Sequence, residues 1–236
     1  PVGKTTLTGL VISRTTKPEY PTKEIASVLE IPPLPQPLIS TGLWIAEYYH
    51  TPLATVLQTI LPRGITKKRR VTKKPVTAPV RKRTNFVLNK DQATAISTLS
   101  TVTSGSVLLH GVTGSGKTAV YIEYAKQVIS RGKSVILLVP EIALTSQLVA
   151  EFKHYFPNII LTHSHQTEAE RHLSWLEAAN SSEPRIVIGP RSALFMPLLN
   201  IGAIIIDESH EPSFKQEQSP RYSALRVAGV LAKEHR

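Results

Sequence analysis

Val107-Leu-Leu109-His-Gly111-Val-Thr113-Gly-Ser115-Gly116-Lys117-Thr118 is the stretch on which the rest of the chain turns. A short apolar run leads into a turn holding three glycines, and a helical pattern follows from about Lys117 to Arg131. Gly111, Gly114 and Gly116 allow backbone turns closed to other residues, so successive N–H groups can point inward at one anion. The helix that opens near Lys117 offers further unpaired N–H groups and the positive end of its dipole to the same place. The spacing G-x-x-x-x-G-K-[ST], set between a predicted strand and a predicted helix, reads as a triphosphate cradle built from Gly111, Val112, Thr113, Gly114, Ser115, Gly116, Lys117 and Thr118. In that reading Lys117 reaches the β- and γ-phosphates of ATP, and the Thr118 hydroxyl faces Mg2+. The competing reading is a flexible glycine turn that matches by chance; the flanking elements argue against it.

Downstream the rhythm is strand, helix, strand. Short β-branched runs recur at Val135–Val139, Ile159–Leu161, Ile186–Ile188 and Ile204–Ile206, in addition to Val107–Leu109. Such runs suit strands buried on both faces of a parallel sheet. Helical stretches fall between them at roughly Lys117–Arg131, Ala143–Phe156 and Glu168–Ala179, which predicts a doubly wound α/β domain. The last run ends in Asp207-Glu208-Ser209-His210. A carboxylate at the carboxyl end of a strand can complete the Mg2+ shell, giving Asp207 that role and Glu208 the orientation or deprotonation of an attacking water. A lone Asp-Glu pair would be a solvated strand end; the glycine loop about 90 residues upstream favours the functional reading.

Upstream of the loop the chain changes character. Residues 1–35 read as β-rich, with Leu7, Val11 and the Ile25–Ile31 run, before Pro32, Pro33, Pro35 and Pro37 break the pattern. Helical periodicity follows from Leu38 to Tyr49. Thr51 and Pro52 then read as N-cap and first turn of a second helix carrying Leu53, Val56, Leu57, Ile60 and Leu61. Residues 62–85 hold ten Lys/Arg and no acid, against a net charge of +11 for all 236 residues, so nearly all the excess lies in this tract. It is either a polyanion contact or a solvated, self-repelling linker. At 41% hydrophobic residues the chain can bury a core. The absence of cysteine excludes disulfides and thiolate metal sites within it. No apolar run reaches membrane-spanning length. Pro1 in place of Met leads us to expect the natural start upstream.

Four stretches carry a more specific resemblance. Gly111 to Thr118 followed by Tyr121 resembles GVTGSGKTEVY, and Val139-Pro-Glu-Ile-Ala-Leu-Thr145-Ser-Gln147 resembles VPEIxLTxQ. Ile188-Gly-Pro-Arg191-Ser192-Ala-Leu-Phe195 resembles IGTRSALF, and Asp207 through Phe214-Lys215-Gln216 to Pro220-Arg221-Tyr222 resembles DEEHDxSYKQ…PRY. All four are motifs of the primosomal replication-restart (PriA) helicase family, and D-E-x-H marks superfamily 2 helicases. Val2 to Ile12 and Trp44-Ile-Ala-Glu-Tyr48-Tyr49 through Pro62 are similar to the end of that family's 3′-DNA-end-binding domain and the segment after it.

The resemblance implies a RecA-like parallel-sheet helicase lobe 1 over residues 86–236. Ahead of it would lie a small α+β piece of the 3′-DNA-end-binding and winged-helix-entry region over 1–61, and a basic linker over 62–85. It implies an ATP- and Mg2+-dependent DNA helicase moving 3′→5′ on forked and single-stranded DNA. Single-strand-binding and primosome or helicase-loading proteins would be its partners, in a bacterial cytoplasm at the nucleoid, with no membrane. The family also binds Zn2+, through cysteines not in this chain. By resemblance Thr145, Gln147, Arg191, Ser192, Phe214, Lys215 and Arg221 contact DNA, and His210 couples nucleotide to nucleic acid. Phe214 and Tyr222 beside Lys215 and Arg221 suit base stacking flanked by cations, or face the core. Thr145 and Ser192 are equally suited to helix capping. Gln92 reads adenine by resemblance, while Asn89-x-x-Gln92 also fits a capping box.

The sequence departs from the family in three ways. The basic tract stands where a winged helix is usual, Pro190 replaces a Thr, and Ser209 replaces a common second Glu. The chain also stops at Arg236, ahead of the family's second lobe, so as a single lobe it is expected to bind nucleotide and unwind nothing. Two alternatives stand beside this reading. One is another superfamily 2 enzyme, such as an RNA helicase or a restriction translocase. The other is a non-catalytic DNA-binding module, against which the intact Lys117, Thr118, Asp207 and Glu208 argue.

Overall fold

A computed structural model describes residues 8–67, 87–112 and 114–235. Four parallel strands form the centre: β1 (Ser134–Leu138), β2 (Ile159–Leu161), β3 (Ile186–Gly189) and β4 (Ile201–Ile206), in the order β2-β3-β1-β4. Register is set by Val135 opposite Ile186 on one side and Ala203 on the other, and by Ile159 opposite Ile186. All five residues of β1 are buried, as a strand with a neighbour on each side and helices on both faces must be. Side chains alternate accordingly. Val135, Leu137 and Val139 enter one core together with Ile186 and Ile188, and Ile136, Leu138 and Val187 enter the other.

The first core is covered by α4 (Lys117–Ser130) and α5 (Ser146–Tyr155), through Ile122, Ala125, Val128 and Phe152. Helix α3 (Lys90–Thr101) lies outside α4. The second core is covered by α1 (Gln36–Tyr48), α2 (Leu53–Ile60), α6 (Glu168–Ala179) and α7 (Ala224–Glu234). The two N-terminal helices are thus part of the wall of the sheet. Leu38 and Ile45, two turns apart, bury one stripe of α1, and Val56 and Ile60 do the same for α2. A Cβ added at Gly42 would stand 2.9 Å from Cδ1 of Ile60, which shows how closely α1 and α2 approach. The Trp175 indole donates to the Ile60 carbonyl at 3.0 Å, and the Tyr49 hydroxyl accepts from the Ser223 amide at 3.0 Å. Ile45 is 0% exposed. Ile45→Ala is therefore expected to lower unfolding free energy by about 2–5 kcal/mol, read as a lower urea midpoint at unchanged slope.

The α/β class expected from the sequence holds, and α6 lies on the expected residues. Three local expectations do not. Val107–Leu109 forms no strand: Leu108 is 83% exposed and the segment lies off the sheet, where β4 has a partner only in β1 among the described residues. Apolar character predicted strand propensity but supplies no partner for the ladder. Residues 8–35 contain no strand for the same reason, and Val11, Ile25 and Val28 stay exposed. Pro52 is the N-cap of α2 in place of Thr51, whose hydroxyl instead donates to the Tyr49 carbonyl. Residues 68–86, which hold most of the basic tract, lie outside the described residues, as do residues 1–7 and Thr113.

Candidate nucleotide site and adjoining cleft

Two of the loop's three glycines have the left-handed backbone expected of them. Gly114 and Gly116 have φ of 80° and 81°, a left-handed conformation that side chains resist. A Cβ at Gly111 would stand 2.8 Å from the Ser115 hydroxyl, and one at Gly116 would collide with the Gln92 amide. Gly116 is the N-cap of α4, so the loop runs directly into a helix N-terminus, where unpaired amides suit an anion. Lys117 bends back over the loop: Nζ donates to the Gly111 carbonyl at 3.0 Å and to the Val112 carbonyl at 3.4 Å. Thr118 follows, half-buried in the first turn of α4.

The acidic residues come from the carboxyl end of β4. The Asp207 amide donates to the Leu138 carbonyl at 2.9 Å, pinning this strand end to β1. Glu208 turns sharply, with φ of 47°, unusual for a residue with a side chain. That turn brings its carboxylate 3.8 Å from Lys117 Nζ and 3.8 Å from His210 Nδ1. Asp207 is tied to the same helix by another route: the Tyr121 hydroxyl donates to Oδ1 at 3.0 Å. Burial, and then the charge and hydrogen bond of Asp207 and the charge of Glu208, push the Tyr121 phenol well above its ordinary 10.0, so it remains a donor.

Gln92 forms the capping box that its spacing from Asn89 allows, and it also reaches the glycine loop. Its Oε1 accepts from the Asn89 amide at 3.0 Å while Asn89 Oδ1 accepts from the Gln92 amide at 2.9 Å, a complete capping box on α3. Its Nε2 donates to the carbonyls of Ser115 and Gly116 at 3.2 and 3.3 Å. The cap therefore holds the side chain against the glycine loop.

Beside this site a cleft of about 970 Å³ opens at the carboxyl ends of β1, β2 and β3, closed on one side by the end of α2. Ligands of open α/β sheets bind at strand carboxyl ends. Arg191, Ser192 and Phe214 line it, whereas Thr145, Gln147, Lys215 and Arg221 do not. The Arg191 guanidinium donates to Gln216 Oε1 at 2.7 Å and to the Ser213 carbonyl at 2.5 Å. Lys215 donates to the Arg221 carbonyl at 2.6 Å and lies 5.5 Å from the centre of the Tyr49 ring. Thr145 caps α5, accepting from the Leu148 amide at 3.2 Å. Gln147, Ser192 and Arg221 are exposed, and His210 is exposed beside Glu208.

The expectation that Phe214 and Tyr222 offer stacking faces needs correction: both are 2% exposed. Tyr222 packs edge-on against Phe195, with ring centres 5.3 Å apart, because the 214–222 loop closes on itself through Gln216 N–H to the Tyr222 carbonyl. Burial also drives the Tyr222 phenol upward, with Arg191 opposing. Among residues passed over as site members, Tyr121 had a readable clue, since four residues after Lys117 is one helical turn on the same face. Gln216, the partner of Arg191, had only its place in the motif that follows Asp207.

The sequence profile of the DEAD/DEAH box helicases matches residues 89–231. The chain belongs to that family. A second profile, the PriA 3′DNA-binding domain (3′BD), matches residues 1–62. The chain is 35% identical over 238 residues to "Replication restart protein PriA" of Treponema pallidum, an alignment covering 97% of the chain and 36% of that protein. It is 48% identical over 151 residues to the Haemophilus influenzae protein of the same name, covering 63% and 20%. With the Bacillus subtilis protein of that name it shares 48% identity over 129 residues, covering 54% and 16%. The chain thus spans between 16% and 36% of the length of these relatives.

As a DEAD/DEAH box helicase lobe, the α/β fold described above is RecA-like, and nucleotide use follows from the family. The residues present fit a magnesium-bound triphosphate. The loop is shaped by glycines where a Cβ would fill it, a lysine lies over its mouth, and the available metal donors, Thr118 and Asp207, are oxygens of the kind Mg2+ selects. Among the described residues no helix is long and apolar enough to cross a membrane.

Proposed function

We propose that the protein is an ATP-driven DNA helicase of replication restart, moving 3′→5′ on forked and single-stranded DNA. The convergence of Lys117 and Glu208 at 3.8 Å carries this reading, because it joins the glycine loop to the D-E-S-H strand end in one site. In the proposed mechanism the loop amides from Gly111 to Thr118 bind the phosphates, and Lys117 leaves its carbonyl partners for the β- and γ-oxygens. Gln92, already held against the loop, reads adenine. Thr118 and Asp207 would hold Mg2+, which neutralises charge gathering on the phosphate oxygens. Glu208 orients the attacking water and accepts its proton, and His210 relays the change from Glu208 towards the nucleic-acid side.

The cleft at the strand ends is the single-strand track, with Arg191 and Ser192 on phosphate oxygens. Thr145, Gln147, Lys215 and Arg221 extend it on the surface. Arg191 links nucleic acid to the 213–222 loop through Gln216 and Ser213. The names of the relatives support the restart role, and single-strand-binding and helicase-loading proteins are the proposed partners, in the bacterial cytoplasm at the nucleoid. We place the 3′-DNA-end-binding part at residues 1–61, the linker at 62–85 and the ATP-binding lobe at 86–236.

The deciding experiment compares DNA and RNA as stimulators of ATP hydrolysis by the complete protein, with strand displacement on 3′- and 5′-tailed substrates. Stimulation by RNA alone, or displacement only from 5′ tails, overturns the reading. The basic tract has its own test. Deleting residues 66–83 should weaken DNA binding and reduce the slope of log K against log salt by about 1 for each phosphate that is no longer neutralised. An unaltered slope leaves the tract a spacer.

A further inference from the structure

We propose that Tyr121 is a positioning residue, whose hydroxyl holds the Asp207 carboxylate in the orientation that receives the magnesium–nucleotide complex. The inference rests on the reading of Asp207 as a magnesium ligand and adds to it a group that acts through that ligand.

Tyr121 lies one helical turn beyond Lys117 on α4, so phosphate-facing lysine and aspartate-facing tyrosine project from one rigid element. Its ring is 9% exposed and belongs to the core with Ile122, Val139 and Ile188, which fixes where the hydroxyl stands. From there it donates to Asp207 Oδ1 at 3.0 Å, across 86 residues of sequence. The Asp207 backbone is independently fixed, by its amide on the Leu138 carbonyl. With main chain and one carboxylate oxygen both anchored, the freedom of the side chain to turn is removed. A carboxylate offers about four lone-pair sites on two oxygens, and a single phenol donor occupies one of them. The remainder stay available to a metal or its bound water. The neighbouring Glu208 faces Lys117 instead, so the two adjacent carboxylates are assigned to different partners by different residues of the same helix.

The arrangement has the form of an outer-shell contact to a metal ligand, whose removal typically costs about 10–100-fold in metal affinity. The test titrates a fluorescent ADP analogue into the complete protein, in EDTA and over a range of Mg2+ concentrations, well below the thermal unfolding midpoint of each variant. For Tyr121→Phe we expect nucleotide affinity in EDTA to match the parent, while the Mg2+ concentration that gives half the metal-dependent enhancement rises by about 10-fold or more. Asp207→Asn, titrated in parallel, should abolish the enhancement. If the hydroxyl only stabilised the fold, Tyr121→Phe would lower the unfolding midpoint and leave the Mg2+ half-point unmoved. That result, with Asp207→Asn still losing its Mg2+ response, overturns the positioning role alone. An Asp207→Asn variant that keeps the parental Mg2+ response overturns the metal-ligand reading, and the present inference with it.

Discussion

Lys117→Ala is expected to reduce DNA-stimulated ATP turnover by at least about 100-fold, measured as phosphate release, with forked-DNA binding largely retained. The lysine ammonium lies 3.0 Å from the Gly111 carbonyl and 3.8 Å from Glu208, already inside the loop that the triphosphate would enter. In the variant the loop amides still bind phosphate, but no mobile cation meets the charge that builds on the transferring phosphoryl group. The loss therefore exceeds that of a surface ion pair. DNA binding should survive because the proposed track, which includes Arg191 and Ser192, is built from other strand ends. Turnover equal to the parent would mean that the glycine loop holds something other than the reacting nucleotide.

Glu208→Gln is the second large effect. The substitution keeps size and removes the carboxylate proposed as base, so kcat should fall by about 10²–10⁴-fold with KM for ATP little changed. An interaction made only in the transition state lowers kcat and kcat/KM together. The split separates two roles that the geometry permits. If the principal task of Glu208 were to hold Lys117 in place, Glu208→Gln would act mainly on KM, because lysine is needed to bind the ground-state phosphates. Steady-state kinetics at saturating DNA distinguishes these outcomes, and a change confined to KM would remove Glu208 from the chemistry.

How far the fold and site could be read in advance depended on whether local composition or distant partners decide each element. Strands β1 and β3 were legible because Val135–Leu138 and Ile186–Ile188 are β-branched or apolar throughout, as burial on both faces demands. Helix α6 lies on the helical stretch Glu168–Ala179 expected from the sequence, and a capping box of Thr167 and Glu170 fixes its start. Helix α7 has Val227, Ala228 and Leu231 at a helical spacing of the same kind. By contrast Val107–Leu109 has the same apolar character as β2, yet a strand exists only where a neighbour accepts its hydrogen bonds. Phe214 and Tyr222 beside cations fit base stacking and core equally well in the sequence, and Tyr222 is turned inward against Phe195, distant from it in the chain. The glycine loop could be read as a motif, but its closure by Gln92 and the reach of Tyr121 to Asp207 depend on three-dimensional neighbours that no local pattern encodes.

The docking of α1 and α2 has an optical consequence. The chain has two tryptophans, and both belong to this junction. Trp175 reaches from α6 to the Ile60 carbonyl, and Trp44 stacks on Tyr48 with ring centres 4.8 Å apart, on the helix that packs against α7. Intrinsic fluorescence of this chain is therefore a label-free gauge of how the segment matched by the 3′DNA-binding profile sits on the helicase lobe. Loosening it would redden the emission before the sheet itself melts.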